Sequence, residues 1–113
     1  MNITVPSGTG VTVAATFPLT HRCPYRAETD HGHIDITWTT AGATLELHAL
    51  AAWLDGFARE QITHEDISSD IRGHLADLPG IDNPQVATRW KTAGADVVVT
   101  CAVPGQRLRR EGA

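Results

Sequence analysis

A cysteine and an aspartate stand seven residues apart in the run Cys23-Pro24-Tyr25-Arg26-Ala27-Glu28-Thr29-Asp30. A thiol is a nucleophile only as the thiolate, so it needs a proton-handling partner or a positive environment. Asp30 could be the partner, and Arg22 and Arg26 could supply the charge. Pro24 drives the preceding residue into extended backbone and out of helix. The flanking His21, Arg22, Tyr25 and Arg26 are polar or amphipathic, which is not the neighbourhood of a core strand. Plain structural readings stand beside this one. Free cysteine is often a small buried hydrophobe, and Asp30 before His31-Gly32 is ordinary turn chemistry. The run reads as a loop fit for covalent chemistry on a small polar molecule.

A second polar cluster, Thr63-His64-Glu65-Asp66, follows a helical stretch. Thr63 and Asp66 have the spacing of a helix cap, and Glu65 complements a helix dipole. Only His64 has no structural reason to be there. His21, Cys23, His31 and His33 also lie close in sequence. Zinc takes His nitrogen and Cys sulfur, but the paired Cys-x-x-Cys knuckle is missing, so no metal is expected. No phosphate-binding glycine loop and no Gly-x-Ser-x-Gly elbow occur.

These residues must be held by a small protein. The chain has 113 residues, enough for one domain over 1–113. Such a domain has a core but little spare area for a deep private pocket, which favours a site shared between subunits. Hydrophobic content of 42% and charged content of 19% are those of a globular chain. A net charge of −4 argues against a generic nucleic-acid binder. Arg107-Leu108-Arg109-Arg110 is the one dense basic cluster, in an expected solvated tail over 104–113. There is no secretory pattern and no apolar run long enough to span a membrane, so a cytoplasmic protein with Cys23 and Cys101 as free thiols is expected.

Residues 1–9, with Pro6, Ser7 and Gly8, read as a flexible lead-in, and Val11 and Val13 as a short strand. His33 to Thr39 alternates, with Ile34, Ile36 and Trp38 on one face. Thr40-Ala41-Gly42 reads as a turn and Ala43 to Leu47 as the return strand of a hairpin. Leu50, Trp53, Leu54 and Phe57 give a helix over 48–60. A second helix starts at Thr63, carries Ile67, Ile71, Leu75 and Leu78, and stops at Pro79-Gly80. Residues 84–91 are extended, Ala93-Gly94 turns, and Asp96 to Val103 has the β-branched run of a central strand. The result is an α+β domain, ββααββ, with a mostly antiparallel sheet and both helices on one face.

The run Cys23-Pro24, Asp30 and Gly32, leading into an alternating strand and joined to His64-Glu65-Asp66, resembles the QueF family of 7-cyano-7-deazaguanine reductases. The resemblance covers roughly residues 17–103 and implies the tunnelling fold, whose subunits join sheet to sheet into rings, usually stacked in pairs. It implies that Cys23 attacks the nitrile carbon of 7-cyano-7-deazaguanine (preQ0) to form a thioimide. Asp30 would move protons, His64 would assist, and Glu65 would hold the base. Glu46 fits the family's pattern and is a second substrate-binding candidate. The reductases carry lysines where this chain has His48 and Ala51, and those lysines go with NADPH. Their loss is similar to the short QueF-like amidinotransferases, in which ammonia completes the reaction, so no cofactor is expected. The alternatives are an NADPH-dependent reductase and a zinc-dependent GTP cyclohydrolase-like enzyme with the metal at His21, Cys23 or His31. The implied partner is a free deazapurine or a nucleic acid that carries one.

Overall fold

In the computed structural model, which describes residues 2–101, four strands form one antiparallel sheet in the order β1-β2-β3-β4. The strands are β1 (Thr4–Arg22), β2 (Thr29–Leu45), β3 (Ile81–Thr92) and β4 (Ala95–Cys101). Between β2 and β3 lie α1 (Leu47–Asp55), a 3₁₀ turn (Gly56–Arg59) and α2 (His64–Ala76). The expected ββααββ order and α+β class are therefore present.

The sheet is half covered. Ile34, Ile36 and Trp38 of β2, Leu19 of β1, and Val86 and Trp90 of β3 face the helices. Leu50 and Leu54 of α1 and Ile67, Ile71 and Leu75 of α2 close the core over them. The alternate residues, among them Thr16, His33, Asp35 and Arg89, are partly or fully exposed on the opposite face, as period-two alternation requires. There Asp35 accepts from Thr16 Oγ1 at 2.6 Å and from Arg89 Nε at 2.9 Å. The Thr16 hydroxyl first, and the Arg89 guanidinium with it, hold the Asp35 carboxyl below the usual carboxylate range.

Four sequence expectations change. Residues 4–9 are not a flexible lead-in but the start of β1, paired as Thr4↔Leu45, Val5↔Thr44 and Pro6↔Ala43. The hairpin expected within 33–47 is absent, because β2 runs unbroken through Thr40-Ala41-Gly42. Gly42 takes φ 103, and Ala41 N–H donates to Gly80 O at 2.8 Å, so the segment kinks without reversing. The first hairpin is β1–β2 instead, with its turn at the cysteine loop. In addition, β4 is an edge strand of this sheet rather than a central one. Finally, the helix expected over 48–60 gives way to the 3₁₀ turn at Gly56. The second helix and the Ala93-Gly94 turn lie as expected, with Ala93 at φ 52 and Gly94 at φ 79. Both cysteines are free thiols. The basic tail and the end of the Asp96–Val103 segment lie outside the described residues.

Candidate active site

Strand pairing builds the site. His21 of β1 is directly opposite Asp30 of β2, and opposed residues of an antiparallel pair project to the same face. Here that is the helix-covered face, at its open end. Cys23 and Asp30 flank the connecting loop, and Cys23 N–H donates to Glu28 O at 3.0 Å to close it. The chain leaving the 3₁₀ turn is stitched to the same strand end. Arg22 N–H donates to Glu60 O at 2.9 Å, and Ile62 N–H donates to Arg22 O at 3.1 Å. That stitch delivers Thr63, whose Oγ1 accepts from Asp66 N–H at 3.1 Å and caps α2. His64, the first residue of α2, is thereby set over the β1–β2 turn.

His64 Nε2 donates to Asp30 Oδ2 at 3.2 Å, and His21 Nε2 lies 3.7 Å from the same oxygen. The His64 ring stacks on Trp90 at 4.5 Å and 16°, while His21 meets both rings edge-on. Trp90 can lie there because its partner across the ladder is Gly32. A Cβ on Gly32 would stand 2.2 Å from Arg89 O and 2.6 Å from the Trp90 ring. Trp90 Nε1 donates to Thr88 Oγ1 at 2.8 Å, Thr88 donates to Ser68 Oγ at 2.6 Å, and Ser68 donates to His64 O at 2.7 Å. This buried chain runs in one direction, so every hydroxyl both donates and accepts. It ties the stacking tryptophan to the first turn of α2. Thr88→Val would strip Trp90 Nε1 of its acceptor and Ser68 of its donor. The expected loss is about 1–3 kcal/mol of stability, measured by denaturant titration.

His21 is fully buried. Burial pushes its imidazole below the ordinary value of 6.5, offset in part by the hydrogen bond to Arg22 O. The folded chain thus binds this proton less readily than the unfolded chain. The group's contribution to stability is complete above about 6.5 and falls as pH drops toward the lower folded value. Melting temperature against pH is expected to fall more steeply below that point in the wild type than in His21→Asn.

An open cavity of about 670 Å³ covers this end of the sheet, within the usual range for small-molecule sites. Cys23, Asp30, His64 and Glu65 all line it, so the structure brings four of the five expected site residues together. The loop side chains of Pro24, Tyr25 and Arg26 form one wall, and the β3–β4 turn with Val97 forms another. The positive end of α2 points into the same space and favours negative charge there. Glu46 is elsewhere: it caps α1, accepting from Ala49 N–H at 2.6 Å, and is not among the lining residues. His48 is fully exposed beside it. His31 and His33 are exposed on the uncovered face, so the set His21, Cys23, His31, His33 is not assembled. The histidine neighbour of His21 is His64 instead, from a different element. Sequence reasoning missed Trp90, and it took His21 as a polar loop neighbour of Cys23 or a metal ligand, whereas it is a fully buried strand residue. The signal for His21 was its place in the alternation Phe17, Leu19, His21.

No helix among the described residues is long and apolar enough to cross a membrane. No family model matches the chain, and no curated protein does. A solved structure does: the crystal structure of the archaeosine synthase QueF-Like in the apo form, with 18% identity and a TM-score of 0.77. The match covers 85% of this chain and 96% of that one. The chain therefore has the QueF-like tunnelling fold, with its four-stranded antiparallel sheet and its two helices.

Proposed function

We propose that the protein is a nitrile-converting enzyme of 7-deazaguanine modification, acting on 7-cyano-7-deazaguanine through Cys23. The observation that carries this reading is one cavity that holds Cys23 together with the Asp30–His64 pair and Glu65. The likeness in fold to an archaeosine synthase supports it.

In this reading the Cys23 sulfur adds to the nitrile carbon, and one C–N π bond opens. The nitrogen gains the proton lost by the thiol, carried by Asp30, and a thioimide results. His64 orients the Asp30 carboxylate through its Nε2–H. Glu65, in the first turn of α2, accepts hydrogen bonds from the base. Ammonia then adds to the thioimide carbon and the thiolate leaves, giving an amidine. The sum is nitrile plus ammonia, with no change in oxidation state, and covalent catalysis divides a hard addition into two easier ones. His48 and Ala51, in place of the reductase lysines, remove two cations that a phosphorylated dinucleotide would need.

The substrate is the free deazapurine or a nucleic acid that bears it. The working form is a homo-oligomeric ring, since β1 and β4 end the sheet among the described residues and unpaired edges invite pairing between copies. The test is intact-mass analysis after incubation with 7-cyano-7-deazaguanine. The expected result is an adduct equal to the mass of the base, discharged as amidine by ammonia. No adduct would refute the proposal, and discharge by NADPH alone would make the enzyme a reductase.

A further inference from the structure

Three ligand-type atoms converge at the floor of the cavity: His21 Nε2, Asp30 Oδ2 and His64 Nε2, all within 4.8 Å of one another. Two separations are 3.2 Å and 3.7 Å. Zinc holds nitrogen and oxygen at about 2.0–2.2 Å, which puts neighbouring ligands of a tetrahedral ion about 3.3 Å apart. Two edges of such a site are therefore already close to length, and the third, between the two imidazole nitrogens, is no longer than 4.8 Å.

A second observation points to a ligand. His21 Nε2 is buried and has no hydrogen-bond partner among the described residues. Its ring is nevertheless fixed, because Nδ1–H donates to Arg22 O at 3.2 Å. That bond puts the proton on Nδ1 and leaves the Nε2 lone pair aimed at the carboxylate. Two lone pairs facing each other in a buried place are unfavourable, and a cation between them removes the conflict. A metal-binding histidine characteristically donates its other ring N–H to a backbone carbonyl.

We infer that His21, Asp30 and His64 form a binding site for a divalent cation of the zinc class, with a fourth position open to the cavity. The donor set is two imidazoles and one carboxylate, which suits zinc or cobalt over calcium or magnesium. Binding requires His64 as its Nδ1–H tautomer, so the proton on Nε2 is lost to solvent while Nδ1 takes one up, and the Nε2 lone pair meets the ion. Cys23 lines the same cavity but stands outside the ligand group. The bound ion takes Asp30 out of proton transfer, so it blocks thioimide formation rather than assisting it.

Equilibrium dialysis of the metal-stripped full chain against zinc tests the site without any nitrile present. One zinc per chain is expected, with affinity unchanged in Cys23→Ser and in the His31→Ala/His33→Ala double variant. His64→Ala and Asp30→Ala should each weaken binding by more than about tenfold. Circular dichroism confirms that each variant is folded. These two carry the test even where His21→Ala fails to fold. Cobalt should give visible ligand-field bands with no thiolate charge-transfer band. Absence of stoichiometric zinc, retention of full affinity in His64→Ala and Asp30→Ala, or a thiolate band lost in Cys23→Ser would each overturn the site. Because the measurement uses the metal alone, its failure leaves the nitrile chemistry standing, and failure of adduct formation leaves the metal site standing.

Discussion

Replacing Cys23 by alanine will abolish adduct formation with 7-cyano-7-deazaguanine and lower turnover by about 10³-fold or more. The thiol is half-buried on the wall of the cavity, and among the described residues the hydrogen bond that anchors Cys23 comes from its backbone N–H to Glu28 O, not from the sulfur. Removing the sulfur deletes one atom from a loop and leaves the His21, His64 and Trp90 rings in place. The variant should therefore melt within a degree or two of the wild type and still bind the base. Intact mass, melting temperature and base binding together separate a lost nucleophile from a lost fold. An adduct that persists in Cys23→Ala would place the covalent chemistry elsewhere. Asp30→Asn should differ in kind: it retains the thiol, so adduct forms, but slowly, because the group that carries the proton is gone.

Gly32→Ala will cost about 1–3 kcal/mol or more, measured by chemical denaturation, out of a total of roughly 5–15 kcal/mol for a typical domain. The clash is with a backbone oxygen at 2.2 Å and a ring at 2.6 Å. The oxygen belongs to a β3 residue in the ladder and cannot step aside. The ring can, but Trp90 is the platform on which His64 lies and the donor to Thr88. The substitution should therefore disturb the site as well as the fold, with adduct formation slowed even where the protein remains folded. Alanine at Gly8, where the added Cβ meets nothing within 4 Å, serves as the control.

Gly32 also shows how far sequence reasoning reaches. Its place two residues after Asp30 was visible as part of a motif, but the reason for glycine was not. The reason is the width of an indole across the ladder, and strand pairing cannot be read from one strand alone. The same holds for His21. Alternation puts it on the buried face, but its meeting with Asp30 depends on where the hairpin turns. Gly42 was read as that turn because glycine after Thr40-Ala41 is good turn chemistry. A 19-residue β1 pairs along nearly all of β2 and makes the reversal at the cysteine loop instead. The helices were legible because their apolar spacing and the Thr63 cap are local properties. The cavity residues Cys23, Asp30, His64 and Glu65 were legible through their motif. Glu46 was drawn to the site by its place in a pattern, and a local role, capping α1, takes it.

The closure of the cysteine loop separates chemistry from recognition. Asp30 is held by the ladder, and Cys23, just past the end of β1, by the bond from its N–H to Glu28 O, below the point where the loop opens out. Pro24, Tyr25 and Arg26 project from beyond that clamp, and Tyr25 is 83% exposed. Changes in the composition of this segment, even insertions at its tip, need not move the reacting pair, because loop closure costs little more as a loop grows. The segment is thus a natural cassette. Its grafting between proteins of this fold should exchange what the cavity accepts while the sulfur and the carboxylate keep their places.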